Sequence, residues 1–136
     1  MHFKAIDEQM LIGQANEARA HSYTRYSDFA VGAALLCADG RVFAGVNIEN
    51  GSYGATICAE RSAFASAISA GAKDFVAIAV VGGKKGEPIT AFCPPCGICR
   101  QFMSEFCTPD FPVLLWDGER IERKTLGALL PEAFAL

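Results

Sequence analysis

The chain has 136 residues, of which 51% are hydrophobic, and it carries a formal net charge of −3. This length predicts one domain, residues 1–136, with a substantial core. The acidic balance and the absence of a long apolar run exclude the patterns of nucleic-acid-binding and membrane-spanning proteins. With no signal-peptide pattern at the amino terminus, these features predict a cytoplasmic protein. The high apolar content further predicts that partner subunits cover part of its surface.

The first half of the chain predicts a helix, a hairpin and a second helix. Asp7 can cap a helix that extends to about Ala20. The stretch VGAALLCADGRVFAGVNIEN has two apolar arms around Asp39-Gly40, which is typical of a β-hairpin. An alanine-rich helix is expected at about 57–70, with Gly71 as its left-handed carboxyl-terminal cap.

The second half predicts buried strands and two further helices. The apolar run FVAIAVV at 75–81 is typical of a strand covered on both faces, and PVLLWD predicts another buried strand. A shorter strand is predicted just before Cys93. Pro94 and Pro95 end it, a helix follows at about 96–106, and LGALLP predicts a short terminal helix. This order predicts an α/β fold in which helices pack on the faces of a mixed sheet.

The six cysteines favour metal or catalytic roles over disulfides in a chain of this type. Cys96 and Cys99 stand three apart at a predicted helix start, so both thiols lie on one face, and Cys58 begins the preceding helix. Three thiolates at helix amino termini suit Zn²⁺ and leave the open position that catalytic zinc requires. Cys93 offers the alternative of a closed four-thiol site that serves assembly, and a redox Cys-x-x-Cys pair is a further interpretation.

Two charged residues follow Cys58 in the first helical turn. Because side chains lean toward the amino terminus there, Glu60 can reach the open position of the metal. Arg61 can offset the negative charge that three thiolates leave on a zinc site. The simpler interpretations are that Glu60 is a first-turn glutamate stabilised by the helix dipole and that Arg61 is a surface residue.

Asn47 and Glu49 lie two apart on the second hairpin arm and therefore face the same way. Two polar side chains aimed together are unexpected on an arm that points to the core. Either they form part of a binding site or they are the outward positions of an exposed edge strand.

The motifs together resemble the small, homotetrameric cytidine deaminases. The zinc-deaminase signature is found at Cys58-Ala59-Glu60 and at PCGIC, residues 95–99, and YSDFAVGAAL, GVNIEN and LLPEAF occur in family order over nearly the whole chain. The resemblance implies a three-layer α/β/α fold with a mixed sheet of about five strands. It also implies one Zn²⁺ per subunit, held by Cys58, Cys96 and Cys99.

The resemblance further implies the reaction. Cytidine and 2′-deoxycytidine would be hydrolysed to uridine and 2′-deoxyuridine plus ammonia, in pyrimidine salvage. Zinc-activated hydroxide attacks C4, Glu60 shuttles the protons, and Arg61 donates to thiolate sulfur. A deaminase of another aminopyrimidine nucleoside, such as blasticidin S, is the alternative enzyme.

The substrate contacts are likewise implied by the resemblance. Asn47 and Glu49 would form hydrogen bonds with the ribose hydroxyls. The carboxylate of Glu49 would repel a phosphate, which favours a free nucleoside as substrate. Phe29 packs against the pyrimidine ring, and Ala59 also contacts the substrate. Two aromatic residues reach in from a neighbouring subunit, which places the active sites at the interfaces of a homotetramer: Tyr53 and Phe134.

The remaining cysteines and histidines have no predicted metal role. Cys37 and Cys107 are expected to be small buried hydrophobic residues. His2 is expected in a mobile terminus, and His21 at the end of the first helix.

Overall fold

Helices and strands alternate along residues 6–136, the part of the chain that this computed structural model describes. His2 and its predicted mobile terminus lie outside this range. In chain order the elements are α1 (Glu8–Ala18), β1 (Phe29–Cys37), β2 (Val42–Val46), α2 (Ala59–Ser69), β3 (Phe75–Lys84), α3 (Gly97–Phe106), β4 (Pro112–Trp116), β5 (Ile121–Thr125) and α4 (Leu126–Leu129).

The strands form one five-stranded mixed sheet in the order β2-β1-β3-β4-β5. β1 pairs antiparallel with β2 and β3, β3 runs parallel to β4, and β4 pairs antiparallel with β5. The central position of β3 explains its unbroken apolar sequence, because each face of the strand contributes to a different core. Ile78 and Val80 belong to one core, and Ala77, Ala79 and Val81 belong to the other.

Helices cover both faces of the sheet. Leu11, Ile12 and Ala15 of α1 pack on one face, and α2 and α3 pack on the opposite face. The fully buried ring of Phe64 in α2 meets the ring of Phe102 in α3 edge-on, with centroids 5.9 Å apart. The three-layer α/β/α architecture with a mixed sheet of five strands is therefore confirmed.

Local sequence sets the helix ends as predicted. Asp7 caps α1, and its side chain accepts a hydrogen bond from the Met10 N–H at 3.0 Å. Gly71 follows the end of α2 with a φ of 88°, the left-handed conformation expected of a helix cap. None of the helices in residues 6–136 has the length and apolar character that crossing a bilayer requires.

A close contact between α2 and β2 fixes the start of α2. A Cβ at Gly45 would lie 2.3 Å from both the Ala59 carbonyl oxygen and the Ala63 nitrogen. Only glycine therefore lets the first turn of α2 rest directly on the hairpin, and this contact sets the position of Cys58.

One strand prediction is wrong, and one strand was not predicted. The strand predicted before Cys93 is wrong, because residues 87–96 form turns and irregular backbone and the flanking prolines lack an N–H donor for a ladder. The fifth strand is instead β5, which follows a turn at Gly118 with a φ of 98°. Its sequence IERKT shows no apolar alternation because β5 is an exposed edge strand.

Candidate metal centre and active site

Three thiols converge between the amino termini of α2 and α3. Cys58 and Cys96 are the N-cap residues of the two helices, and Cys99 is buried in the first turn of α3. The Sγ atoms of Cys58 and Cys96 are 3.5 Å apart, and all three Sγ atoms lie within 4.8 Å of one another. A tetrahedral zinc ion with Zn–S bonds of about 2.3 Å separates its sulfurs by about 3.8 Å. The three thiols therefore fit zinc by chemistry and by spacing.

The thiols of Cys58 and Cys99 have pKa values shifted in opposite directions. A hydrogen bond from Cys99 lowers the pKa of Cys58 to about 5, with Arg61 and Cys96 adding to the effect against the opposing effect of burial. The same hydrogen bond and burial raise the pKa of Cys99. Cys58 is thus a thiolate while Cys99 keeps its proton. Because zinc takes thiolates as ligands, binding of the metal releases protons from this cluster.

Glu60 lies inside the protein beside the thiols. It is the second residue of α2 and is only 3% exposed. Burial raises the pKa of its carboxyl, and the negative charge on Cys58 raises it further, while hydrogen bonds with its own backbone N–H and with Cys99 act in the opposite direction. The carboxyl therefore faces the thiol cluster and not bulk solvent. A raised pKa suits a group that exchanges protons near neutral pH.

Arg61 contacts the thiolate, as predicted. Its Nη2 lies 3.7 Å from the Cys58 Sγ and donates to the Thr56 carbonyl oxygen at 3.3 Å. Its Nε is buried and has no hydrogen-bond partner within the described residues. The guanidinium is therefore available to balance negative charge at the cluster.

Cys93 does not belong to the thiol cluster. Within residues 6–136 the group able to hold a metal contains three cysteines, and Cys93 is not one of them. Its Sγ lies against β3, 2.6 Å from the position that a Gly82 Cβ would occupy, and Phe29 Cε2 is 3.0 Å from the same point. Burial raises the pKa of Cys93 to about 11, so its thiol stays protonated at neutral pH. This geometry favours an open three-thiol site over the closed four-thiol alternative.

Asn47 contacts the start of β1, and Glu49 contacts the turn that leads into it. Asn47 accepts a hydrogen bond from the Val31 N–H at 2.9 Å and donates to the Phe29 carbonyl oxygen at 2.8 Å. Glu49 accepts from the backbone N–H of Ser27 at 3.1 Å. Both residues lie just beyond the end of β2 and not within it, and their contacts converge on residues 26–31.

A cleft of about 370 Å³ opens beside Glu49, within the size range of small-molecule sites. It is lined by Tyr26, Ser27, Glu49, Asn50, Tyr53 and Thr56. Ser27 had no predicted role, although a serine hydroxyl often bonds the backbone N–H two residues later, as Ser27 does with Phe29.

The other predicted substrate residues differ in exposure. Phe29 begins β1 with 42% of its surface exposed, whereas Ala59 is fully buried in the single chain. Tyr53 and Phe134 are 80% and 69% exposed, as a role in a neighbouring subunit's site requires. Cys37 is buried as predicted, and Cys107 is partly buried against the same core.

The fold and the site define a class of protein. A three-layer α/β/α domain that joins a three-thiol metal site to a buried carboxyl has the parts of a zinc-dependent hydrolytic enzyme. Residues 6–115 match the family described as "Cytidine and deoxycytidylate deaminase zinc-binding region".

Known cytidine deaminases are similar in sequence and structure to nearly the full length of the chain. A cytidine deaminase from Halalkalibacterium halodurans is 52% identical over 130 residues, which is 95% of each chain. The crystal structure of a cytidine deaminase from Burkholderia pseudomallei superposes with a TM-score of 0.85 at 45% identity, covering 95% of this chain and 100% of that one. The Mycobacterium tuberculosis structure gives a TM-score of 0.83 at 41% identity, covering 97% and 100%. The chain belongs to the cytidine deaminase family.

Proposed function

We propose that the protein deaminates free cytidine and 2′-deoxycytidine to uridine and 2′-deoxyuridine, releasing ammonia, in pyrimidine salvage. The single observation that carries this proposal is the buried carboxyl of Glu60 beside three thiols whose Sγ atoms lie within 4.8 Å of one another. The similarity of nearly the whole chain to cytidine deaminases supports the choice of substrate.

The chemistry divides between the metal and Glu60. Cys58, Cys96 and Cys99 would hold the zinc ion, which when bound would supply the Lewis acidity that activates water at neutral pH. Glu60 takes a proton from the attacking water and delivers it to N3 of the pyrimidine while the oxygen bonds to C4. It then takes the remaining proton from the new C4 hydroxyl and carries it to the 4-amino nitrogen, so that the C4=O bond forms as the C4–N bond breaks and ammonia leaves. The raised pKa of Glu60 keeps its protonated form accessible during this sequence.

The nucleoside would be held by residues at the start of β1 and just after β2. Phe29, half-exposed at the start of β1, offers an aromatic face to the base. Asn47 and Glu49 offer polar atoms to the sugar hydroxyls, and the charge of Glu49 disfavours a substrate with a phosphate. The backbone N–H of Ala59, at the start of α2, is a donor for the base.

A homotetramer would complete the site. In the single chain several large apolar side chains are exposed, including Ile98 at 65%. Tyr53 and Phe134 share this exposure, and in a tetramer they would enter the site of a neighbouring subunit. We expect native mass spectrometry to give four chains, and full activity in a monomer would refute the shared site.

Glu60→Gln tests the mechanism directly. Loss of cytidine is followed by ultraviolet absorbance, with zinc content measured in parallel. Because the amide cannot carry protons, we expect kcat to fall at least about 100-fold while zinc is retained. Glu105→Gln, on the exposed end of α3, is the matched control and should behave as wild type. Near-normal turnover in Glu60→Gln would remove this residue from the mechanism.

Cys93→Ser separates the open site from the closed one. Because Cys93 lies against Gly82 and Phe29 and outside the thiol cluster, we expect the variant to retain its zinc. Loss of the metal would instead support a closed four-thiol module. Turnover of blasticidin S in preference to cytidine would favour the alternative nucleoside deaminase.

A further inference from the structure

Ser27 lies in a tightly held turn before β1. The Asp28 N–H donates to the Thr24 carbonyl oxygen at 2.9 Å, and Asp28 adopts a φ of 58°. The Lys85 N–H donates to the Asp28 carbonyl oxygen at 2.8 Å, which joins the turn to the end of β3. One hydrogen bond therefore closes the turn around Ser27, and the other ties the residue after Ser27 to the end of β3.

The Ser27 hydroxyl joins two residues that the proposed function assigns to different parts of the substrate. It donates to Glu49 Oε2 and accepts from the Phe29 N–H at 3.0 Å. The backbone N–H groups of Tyr26 and Ser27 donate to Glu49 Oε1 at 2.9 and 3.1 Å. The hydrogen bond from Ser27 also lowers the pKa of Glu49, so the carboxylate is charged at neutral pH.

These contacts leave the Glu49 carboxylate in one orientation. A carboxylate has about four lone-pair positions for hydrogen bonds, and three are filled by Tyr26 and Ser27. The remaining position is available to one hydroxyl of a ligand. Without the Ser27 hydroxyl, Oε2 would lose the contact that holds it in place.

We propose that Ser27 is a positioning residue for nucleoside recognition. Its hydroxyl fixes the position of the sugar-facing carboxylate of Glu49 relative to the base-facing ring of Phe29. The inference rests on the proposed function. Base and sugar are covalently joined at a fixed separation, so a site that contacts both needs its two contacts at a matching separation. The structure achieves this with one hydroxyl group between them.

Ser27→Ala tests the proposal in the zinc-loaded enzyme. Loss of one hydrogen bond to a charged group predicts a rise of about tenfold in KM for cytidine, with kcat within about twofold of wild type. Uridine affinity, measured by calorimetry, should fall by the same factor. Ser27→Thr keeps the hydroxyl and should restore KM. Ser66→Ala, which removes an exposed hydroxyl from α2, is the matched control.

A mutant cycle with Glu49→Ala tests whether Ser27 acts through Glu49. In that case the double variant should raise KM by clearly less than the product of the two single effects. Independent effects, an unchanged KM in Ser27→Ala, a loss confined to kcat, or a chain that no longer shows a melting transition would each overturn the positioning role. A zinc-loaded wild-type enzyme that leaves cytidine intact would instead refute the proposed function.

Discussion

Gly82→Ala introduces a methyl group at the point where Phe29 and Cys93 meet above β3. A Cβ there would lie 2.6 Å from the Cys93 Sγ and 3.0 Å from Phe29 Cε2. Carbon atoms in favourable contact are about 3.5–4.0 Å apart, so the ring and the thiol must together yield by about 1 Å. Overpacking of this kind lowers the free energy of unfolding by about 1–3 kcal/mol. A displacement of about 1 Å in a group that contacts substrate can lower kcat/KM by up to about 100-fold.

Steady-state kinetics, zinc analysis and thermal denaturation measure this effect together. We expect a raised KM for cytidine and a lower melting temperature, with zinc retained because the thiol cluster is not touched. Gly13→Ala, where an added Cβ has open space in α1, is the control and should be slightly more stable than wild type. Adding Cys93→Ala to Gly82→Ala removes the closest contact and should restore part of the loss. Wild-type stability and KM in Gly82→Ala would refute a rigid contact of Phe29 and Cys93 over this strand.

Three other measurements test the site and its surroundings. Arg61→Gln should lower zinc affinity or activity about 10–100-fold, because a donor to the Cys58 thiolate is lost, whereas Arg120→Gln on the surface should change neither. Zinc can be titrated at pH 7 into protein whose metal has been removed with a chelator, and the heat measured by calorimetry in buffers of different ionisation enthalpy. We expect zinc binding to release protons, because the raised pKa of Cys99 keeps that thiol protonated in the metal-free cluster. Zinc binding without proton release would contradict that protonation state. Burial raises the pKa of Cys107 from 9.0 to about 12, so the thiol ionises first in the unfolded chain and its contribution to stability is lost as pH rises between these values. The free energy of unfolding should therefore fall less steeply from pH 9 to 12 in Cys107→Ser than in wild type, and identical slopes would exclude this contribution.

Much of the local structure could be predicted because it depends on near neighbours in the chain. Asp7 caps α1 through the N–H three residues later, and Gly71 ends α2 through its own φ. The positions of Cys58 and Cys96 at helix starts were predicted from neighbouring residues in the same way, and both are N-cap residues. Their spacing and residue types were also sufficient to predict a three-thiol metal site.

Hydrophobic periodicity did not predict a strand that packs little against the core. β5 is held by its ladder with β4 and exposes most of its side chains, so its sequence carries no alternating apolar signal. A strand was predicted before Cys93, but Ile89 there is buried in irregular backbone and contributes to the core beside α1.

The sequence alone therefore predicted which residues carry the chemistry: the three thiols, Glu60, and the polar pair on the hairpin. Only the tertiary structure showed what holds them. The contact of Ser27 with Glu49 spans 22 positions of the chain, and Phe29, Gly82 and Cys93 meet from three separate segments. Such contacts depend on how the strands pair and how the helices pack, and a local pattern carries no information about which distant backbone will lie within hydrogen-bonding distance.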